Sequence, residues 1–152
     1  MNKPLKRHEA LRPFSREHHF SLLLCWKIRQ GITKNIDPSR IMTHVRWHYN
    51  KHIRQHFDAE ERHIFPLIDP QDELVQRALV DHQSLRRLFE SEETSYHQLS
   101  KIEKTLNEHI RFEERVLFKR IEAQINPKIL SGISGIHNNE RIDDNEEDPF
   151  WE

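Results

Sequence analysis

Apolar positions along the chain recur at steps of three and four in four long stretches, the spacing of amphipathic helices that each bury one face. The first stretch follows Ser15, a good N-cap, carries the apolar run Phe20 to Ile28, and is expected to stop at Gly31. The second opens at Asp37-Pro38-Ser39 and reaches Phe65, where Pro66 and then Asp69-Pro70 interrupt it. Its inward stripe reads Tyr49, Ile53, His56, Glu60, Ile64 and Leu67. The third follows Asp69-Pro70-Gln71-Asp72, with Val75, Ala78, His82, Leu85 and Phe89 on one face. After a polar break at residues 91–95, the fourth runs from Tyr96 to Ile125 and stops at Asn126-Pro127; its stripe is Leu99, Ile102, Leu106, His109, Glu113 and Val116. The pattern predicts an all-α, antiparallel up-down four-helix bundle over residues 15–126. An extended leader, residues 1–14, is expected to pack through Leu11 and Phe14, and residues 127–152 read as an acidic C-terminal tail. The aromatic end of that tail, Pro149-Phe150-Trp151-Glu152, either tucks against the bundle or meets a partner.

Composition narrows the function more than the fold. Charged residues make up 32% and hydrophobic residues 35%, with only 3 Gly, which suits solvent-facing helices better than a turn-rich sheet. Twenty-four Lys+Arg against 25 Asp+Glu leaves a formal charge of −1 and no basic excess, so neither nucleic acid nor a membrane surface is expected as a partner. No apolar run approaches the length of a membrane span, and the N-terminus lacks the apolar core of a signal peptide. The single cysteine, Cys25, lies in an apolar run and allows no internal disulfide, which points to a reducing compartment, the cytoplasm.

The candidate chemistry sits where polar residues interrupt the apolar stripes. His56-Phe57-Asp58-Ala59-Glu60-Glu61-Arg62-His63-Ile64-Phe65 has an echo in His109-Ile110-Arg111-Phe112-Glu113-Glu114-Arg115-Val116-Leu117-Phe118. Both follow His-x-x-x-Glu-Glu-Arg-x-x-Phe, with an isoleucine three residues further on. Positions four apart stack on one helix face, so each copy presents an imidazole and a carboxylate in the same direction. On the third helix His82 stands alone in an apolar face, and the first helix offers His18 or His19, with His18 preferred because Phe14, Leu22, Cys25 and Ile32 continue its face. One layer of a bundle thus gathers four imidazoles and two carboxylates, from His18 or His19, His56, Glu60, His82, His109 and Glu113. Imidazole and carboxylate without thiolate suit iron, manganese or zinc, and two carboxylates can each bridge a pair of cations. The competing reading is an internal network of ion pairs and hydrogen bonds with no metal. His44, His48, His52 and His63 lie off the best stripe and are expected in surface or supporting roles.

These motifs resemble the hemerythrin-like, His-His-Glu cation-binding bundles over roughly Ser15 to Ile125. The resemblance rests on His56-x-x-x-Glu60-Glu61-Arg62-x-x-Phe65-Pro66 and His109-x-x-x-Glu113-Glu114-Arg115-x-x-Phe118, supported by Asp81-His82 and Glu17-His18-His19. It implies a non-haem, carboxylate-bridged centre of two iron ions that binds or senses O2, NO or iron, or turns over a small oxidant. A diatomic ligand or oxidant would be its small-molecule partner. The chain departs from the oxygen carriers of that family: Arg86 stands where their third helix places a fifth imidazole, and His109-x-x-x-Glu113 replaces their His-x-x-x-x-Asp. The four-His, two-Glu set is similar to that of iron-centre repair proteins and of an iron-sensing ubiquitin-ligase domain.

Overall fold

A computed structural model describes residues 7–133 and 144–152. Helix α1 spans Arg12–Thr33, after a single tight turn at Glu9–Leu11 whose first amide hydrogen bonds are closed by the His8 side chain accepting from Ala10 N–H. Helical structure therefore begins inside the stretch expected as an extended leader. Pro13 falls in the first turn, where its missing N–H costs nothing, and Ala10, Leu11 and Phe14 extend the buried face backwards from His18. Gly31 does not end the helix; the chain turns instead at Asn35, in the left-handed region with φ 57°. Gly31 serves close packing. A Cβ there would lie 2.7 Å from Ile41 Cδ1 and 2.9 Å from Phe150 Cε2.

Helix α2 covers residues 38–67, capped by Asp37 through Ser39 N–H. Helix α3 is Glu73–Glu90, capped by Asp72 through Leu74 N–H. Helix α4 covers residues 96–124, capped by Ser95, and the short α5 is Pro127–Gly132. The predicted stripe of α3 is buried along its whole length. On α4 one expectation fails: Val116 is 43% exposed, and Leu117 takes the inward position. The cause is a wide turn at Glu113–Leu117, where Phe118 N–H bonds back five residues to Glu113 C=O and so shifts the register by one. The first copy of the repeat has the same wide turn at Glu60–Ile64, closed by Phe65 N–H on Glu60 C=O.

Two apolar clusters define the bundle and its direction. One joins Leu11 of the preceding turn and Phe14 at the start of α1 to the end of α2 (Ile64, Phe65), the start of α3 (Val75, Ala78) and the end of α4 (Leu117, Phe118). The other joins Leu24 and Ile28 of α1 to Ile41, Val45 and Tyr49 of α2, Phe89 of α3 and Leu99 and Ile102 of α4. Starts meet ends throughout, so the four helices run up-down-up-down. The polar layer lies between the two clusters, and among the described residues there is no strand and no helix long and apolar enough to cross a membrane.

Of the expected acidic tail, residues 134–143 lie outside the described residues. The aromatic end folds back: Phe150 is buried against Gly31 and Ile41, the Trp151 ring lies 3.7 Å from Lys27 Nζ, and Asp144 pairs with that buried lysine at 2.5 Å. This return covers His44, which lies 5.0 Å from the Trp151 ring and 5.6 Å from the Phe150 ring. His44 is consequently buried, and His48, one turn further along α2, is buried as well. The stripe along α2 could not reveal this cover, since it comes from residues about a hundred positions away.

Candidate metal centre

Each helix brings one imidazole into the polar layer: His18 from α1, His56 from α2, His82 from α3 and His109 from α4. Glu60 and Glu113 enter one turn beyond His56 and His109, at the first residue of each wide turn. All six side chains are buried, His56 the least so at 5% exposure. His19, the alternative to His18, is exposed, its ring beside Phe20. Neighbouring positions on a helix point about 100° apart, so only one of the two can face the centre.

The imidazoles form two pairs, His18 with His56 at 4.7 Å between ring centroids and His82 with His109 at 4.9 Å. The carboxylates span both pairs. Glu60 Oε1 lies 3.1 Å from His56 Nε2 and 3.3 Å from His82 Nε2, while its Oε2 lies 3.7 Å from His18 Nε2. Glu113 Oε1 contacts His109 Nε2 and lies 3.6 Å from His82 Nε2, and its Oε2 is 4.0 Å from His18 Nε2. Two groups of donors close enough to share a cation result: Glu60, His82, His109 and Glu113, and His18, His56 and Glu60.

A ring of outer carboxylates directs the imidazoles. Helix α1 supplies Glu17 to His56 Nδ1 at 2.8 Å, and α2 supplies Glu61 to His82 Nδ1 at 2.7 Å. Helix α3 supplies Asp81 to His109 Nδ1 at 3.0 Å, and α4 supplies Glu114 to His18 Nδ1 at 2.8 Å. Each helix thus holds the imidazole of the next, and the ring closes. With every Nδ1 donating outward, every Nε2 faces the centre as a lone-pair donor, the arrangement by which ligating histidines are oriented. The second Glu of each repeat has this outer role. The repeat's phenylalanine flanks the same neighbouring imidazole: Phe65 lies 5.3 Å from His82, and Phe118 stacks on His18 at 5.4 Å.

The electrostatics favour cations. Burial acts to push His18 and His82 down, yet Glu114 and Glu60 on the first, and Glu113, Glu60 and Glu61 on the second, raise them to about 9 and about 10. Burial opposes ionisation of Glu60, but His56 and the other groups around it hold its carboxyl well below the ordinary carboxylate value. The layer is anionic enough to attract a cation, and a metal binding there would take the place of protons on the inward nitrogens and free their lone pairs. The donor atoms also fit one directly: Nε2 of all four histidines and both oxygens of Glu60 and of Glu113 are buried and crowd together, yet none meets another in hydrogen-bonding geometry. Eight such atoms converging in one layer would be costly in a purely hydrogen-bonded network, which would pair them.

Comparison with known proteins agrees with this geometry. The family model of the hemerythrin HHE cation-binding domain matches residues 8–121, from the turn before α1 to the last turns of α4. Searches of curated proteins and of solved structures found no match. The match spans all four helices and every residue of the polar layer, and the chain belongs to the hemerythrin HHE cation-binding family.

Proposed function

We propose that the protein holds two iron ions in a carboxylate-bridged, non-haem centre and uses it to bind or sense O2, NO or iron itself. The observation that carries this reading is the set of buried Nε2 and carboxylate oxygens that converge between the two apolar clusters. His18 and His56 would hold one ion, His82 and His109 the other, with Glu60 and Glu113 between them. Bound iron would supply a redox couple and coordination positions open to a small ligand. The chain's own residues orient the imidazoles through Glu17, Glu61, Asp81 and Glu114 and keep bulk water out by burial. Manganese and zinc suit the same donors, so the metal itself must be measured. The reading places the protein in the cytoplasm, where the fully buried Cys25 stays a thiol; burial pushes its pKa up to about 12.

The test is metal analysis of protein purified from iron-replete cells, with absorption spectra in both redox states. Two irons per chain and a near-ultraviolet band that changes on reduction and on exposure to gas are expected. Colourless protein holding only zinc would overturn the reading. Redox turnover is a second reading, favoured by Arg86: it turns outward to Glu61 and adds no donor to the layer, leaving the centre with few protein ligands. Reduction of peroxide or NO by a supplied reductant, lost in Glu60→Ala, would distinguish turnover from binding.

A further inference from the structure

Two arginines stand outside the carboxylate ring in matching positions. Arg86 Nη2 lies 2.7 Å from Glu61 Oε2, the oxygen that also receives His82 Nδ1 at 2.7 Å, and donates to Asp58 at 3.1 Å. Its guanidinium lies over the Phe57 ring at 5.6 Å, and Phe57 stacks on His82 at 4.1 Å. Across the bundle, Arg7 Nη2 lies 3.0 Å from Glu114 Oε2 and donates to the Glu114 carbonyl at 2.8 Å. Its guanidinium lies 5.5 Å from the Phe118 ring, which stacks on His18. Each arginine therefore reaches one imidazole twice, through the carboxylate on its Nδ1 and through the aromatic ring on its face.

The two imidazoles served are the ones that need outside support. His56 and His109 have a site carboxylate one turn along their own helix, whereas His18 and His82 have none. The carboxylate holding His109, Asp81, forms no ion pair with an arginine or lysine among the described residues. A carboxylate facing only an imidazole N–H draws that proton toward itself and enriches the ring's donor nitrogen. An arginine on the same carboxylate shares its charge, weakens that pull and fixes its direction.

We propose that Arg86 and Arg7 are positioning residues of the centre, each setting the orientation and donor strength of one lone imidazole through Glu61 or Glu114. This rests on the reading that the centre binds metal. On the sequence reading, Arg86 merely replaces a fifth imidazole; the geometry gives it work one step further out.

The test compares Arg86→Gln, Arg86→Lys and Glu61→Gln, singly and as the Arg86→Gln/Glu61→Gln pair, in the full chain. Arg87→Gln, at the exposed neighbouring position, is the control. Release of iron to a chelator, the midpoint potential and the melting temperature of metal-free protein are read for each. Arg86→Gln is expected to speed iron release about 10-fold and lower the potential, with a metal-free melting temperature close to wild type. Arg86→Lys should recover the potential better than the retention, because it restores the charge without the planar fork. In the Glu61→Gln background Arg86→Gln should add nothing. Wild-type release and potential in Arg86→Gln, or full additivity with Glu61→Gln, would overturn the proposal. Wild-type protein that takes up zinc but not iron would overturn the iron reading instead, and the same comparison made on zinc release would decide the role of Arg86. Protein that takes up neither would overturn both.

Discussion

Glu114 accepts the Nδ1 proton of His18 at 2.8 Å across 96 positions of sequence, tying the second copy of the repeat to the one helix whose ligand was ambiguous. The contact fixes which ring nitrogen faces inward, so its loss should loosen the metal without removing a donor. Glu114→Ala is expected to weaken metal affinity by roughly 10- to 100-fold, read by competition with a chelator of known affinity.

His18 and His19 should separate cleanly. His18→Ala removes a buried Nε2 aimed at Glu60, whereas His19→Ala removes an exposed ring. Metal content after purification should fall in the first variant and match wild type in the second; equal retention in both would mean that α1 supplies no ligand.

Glu60 is the inner carboxylate that belongs to both groups of donors, contacting His18, His56 and His82. Its replacement by alanine should therefore reduce occupancy of both cation positions. The expected result is less than one metal per chain, with a lower melting temperature than the wild-type holoprotein, since a ligand bound only to the folded state stabilises it.

Stability should also fall in mild acid for a reason unrelated to the centre. Burial, with His52 adding to it, holds His48 at about 3; burial, with Lys27 adding to it, holds His44 at about 4. Both lie below the ordinary value of 6.5, so the unfolded chain takes up these protons before the folded one does. Their contribution is complete above pH 6.5 and is lost as pH drops toward the folded values, at up to about 1.4 kcal/mol per pH unit for each group. Urea titrations of metal-free protein between pH 6.5 and 5 should show a shallower slope in His48→Gln than in wild type.

The C-terminal return should be structural and separable from the metal. Phe150 is 2% exposed, packed where Gly31 lacks a side chain, in the cluster on the far side of the polar layer from Phe14 and Phe118. Phe150→Ala should cost roughly 3 kcal/mol in chemical denaturation while metal content stays at the wild-type level. A loss of metal in this variant would show that the return supports the centre as well.

Much of the site was legible because it is local. The step of four that aligns His56 with Glu60 and His109 with Glu113 is a property of the helix itself, and the apolar stripe around His82 marked it as inward. The outer acids were visible as neighbours, in Glu17-His18, Asp81-His82 and the two Glu-Glu pairs, but their partners were not. Each serves an imidazole on another helix, and that pairing depends on how the helices are spaced and rotated. Val116 was misplaced for a subtler reason: a wide turn inserts one residue into the helical register, and nothing in the spacing of apolar residues announces it.

The sequence by itself determined four amphipathic helices, their up-down order through short connections, and a duplicated His-x-x-x-Glu pair facing inward, all consequences of geometry within a single helix. Tertiary structure decided that His18 and not His19 enters the layer, that Glu61 and Glu114 grip the lone imidazoles, that Arg86 and Arg7 stand behind them, and that the C-terminal aromatics bury His44. Those outcomes depend on distances between segments remote in the chain, set by how the apolar faces pack, and helix periodicity carries no record of them.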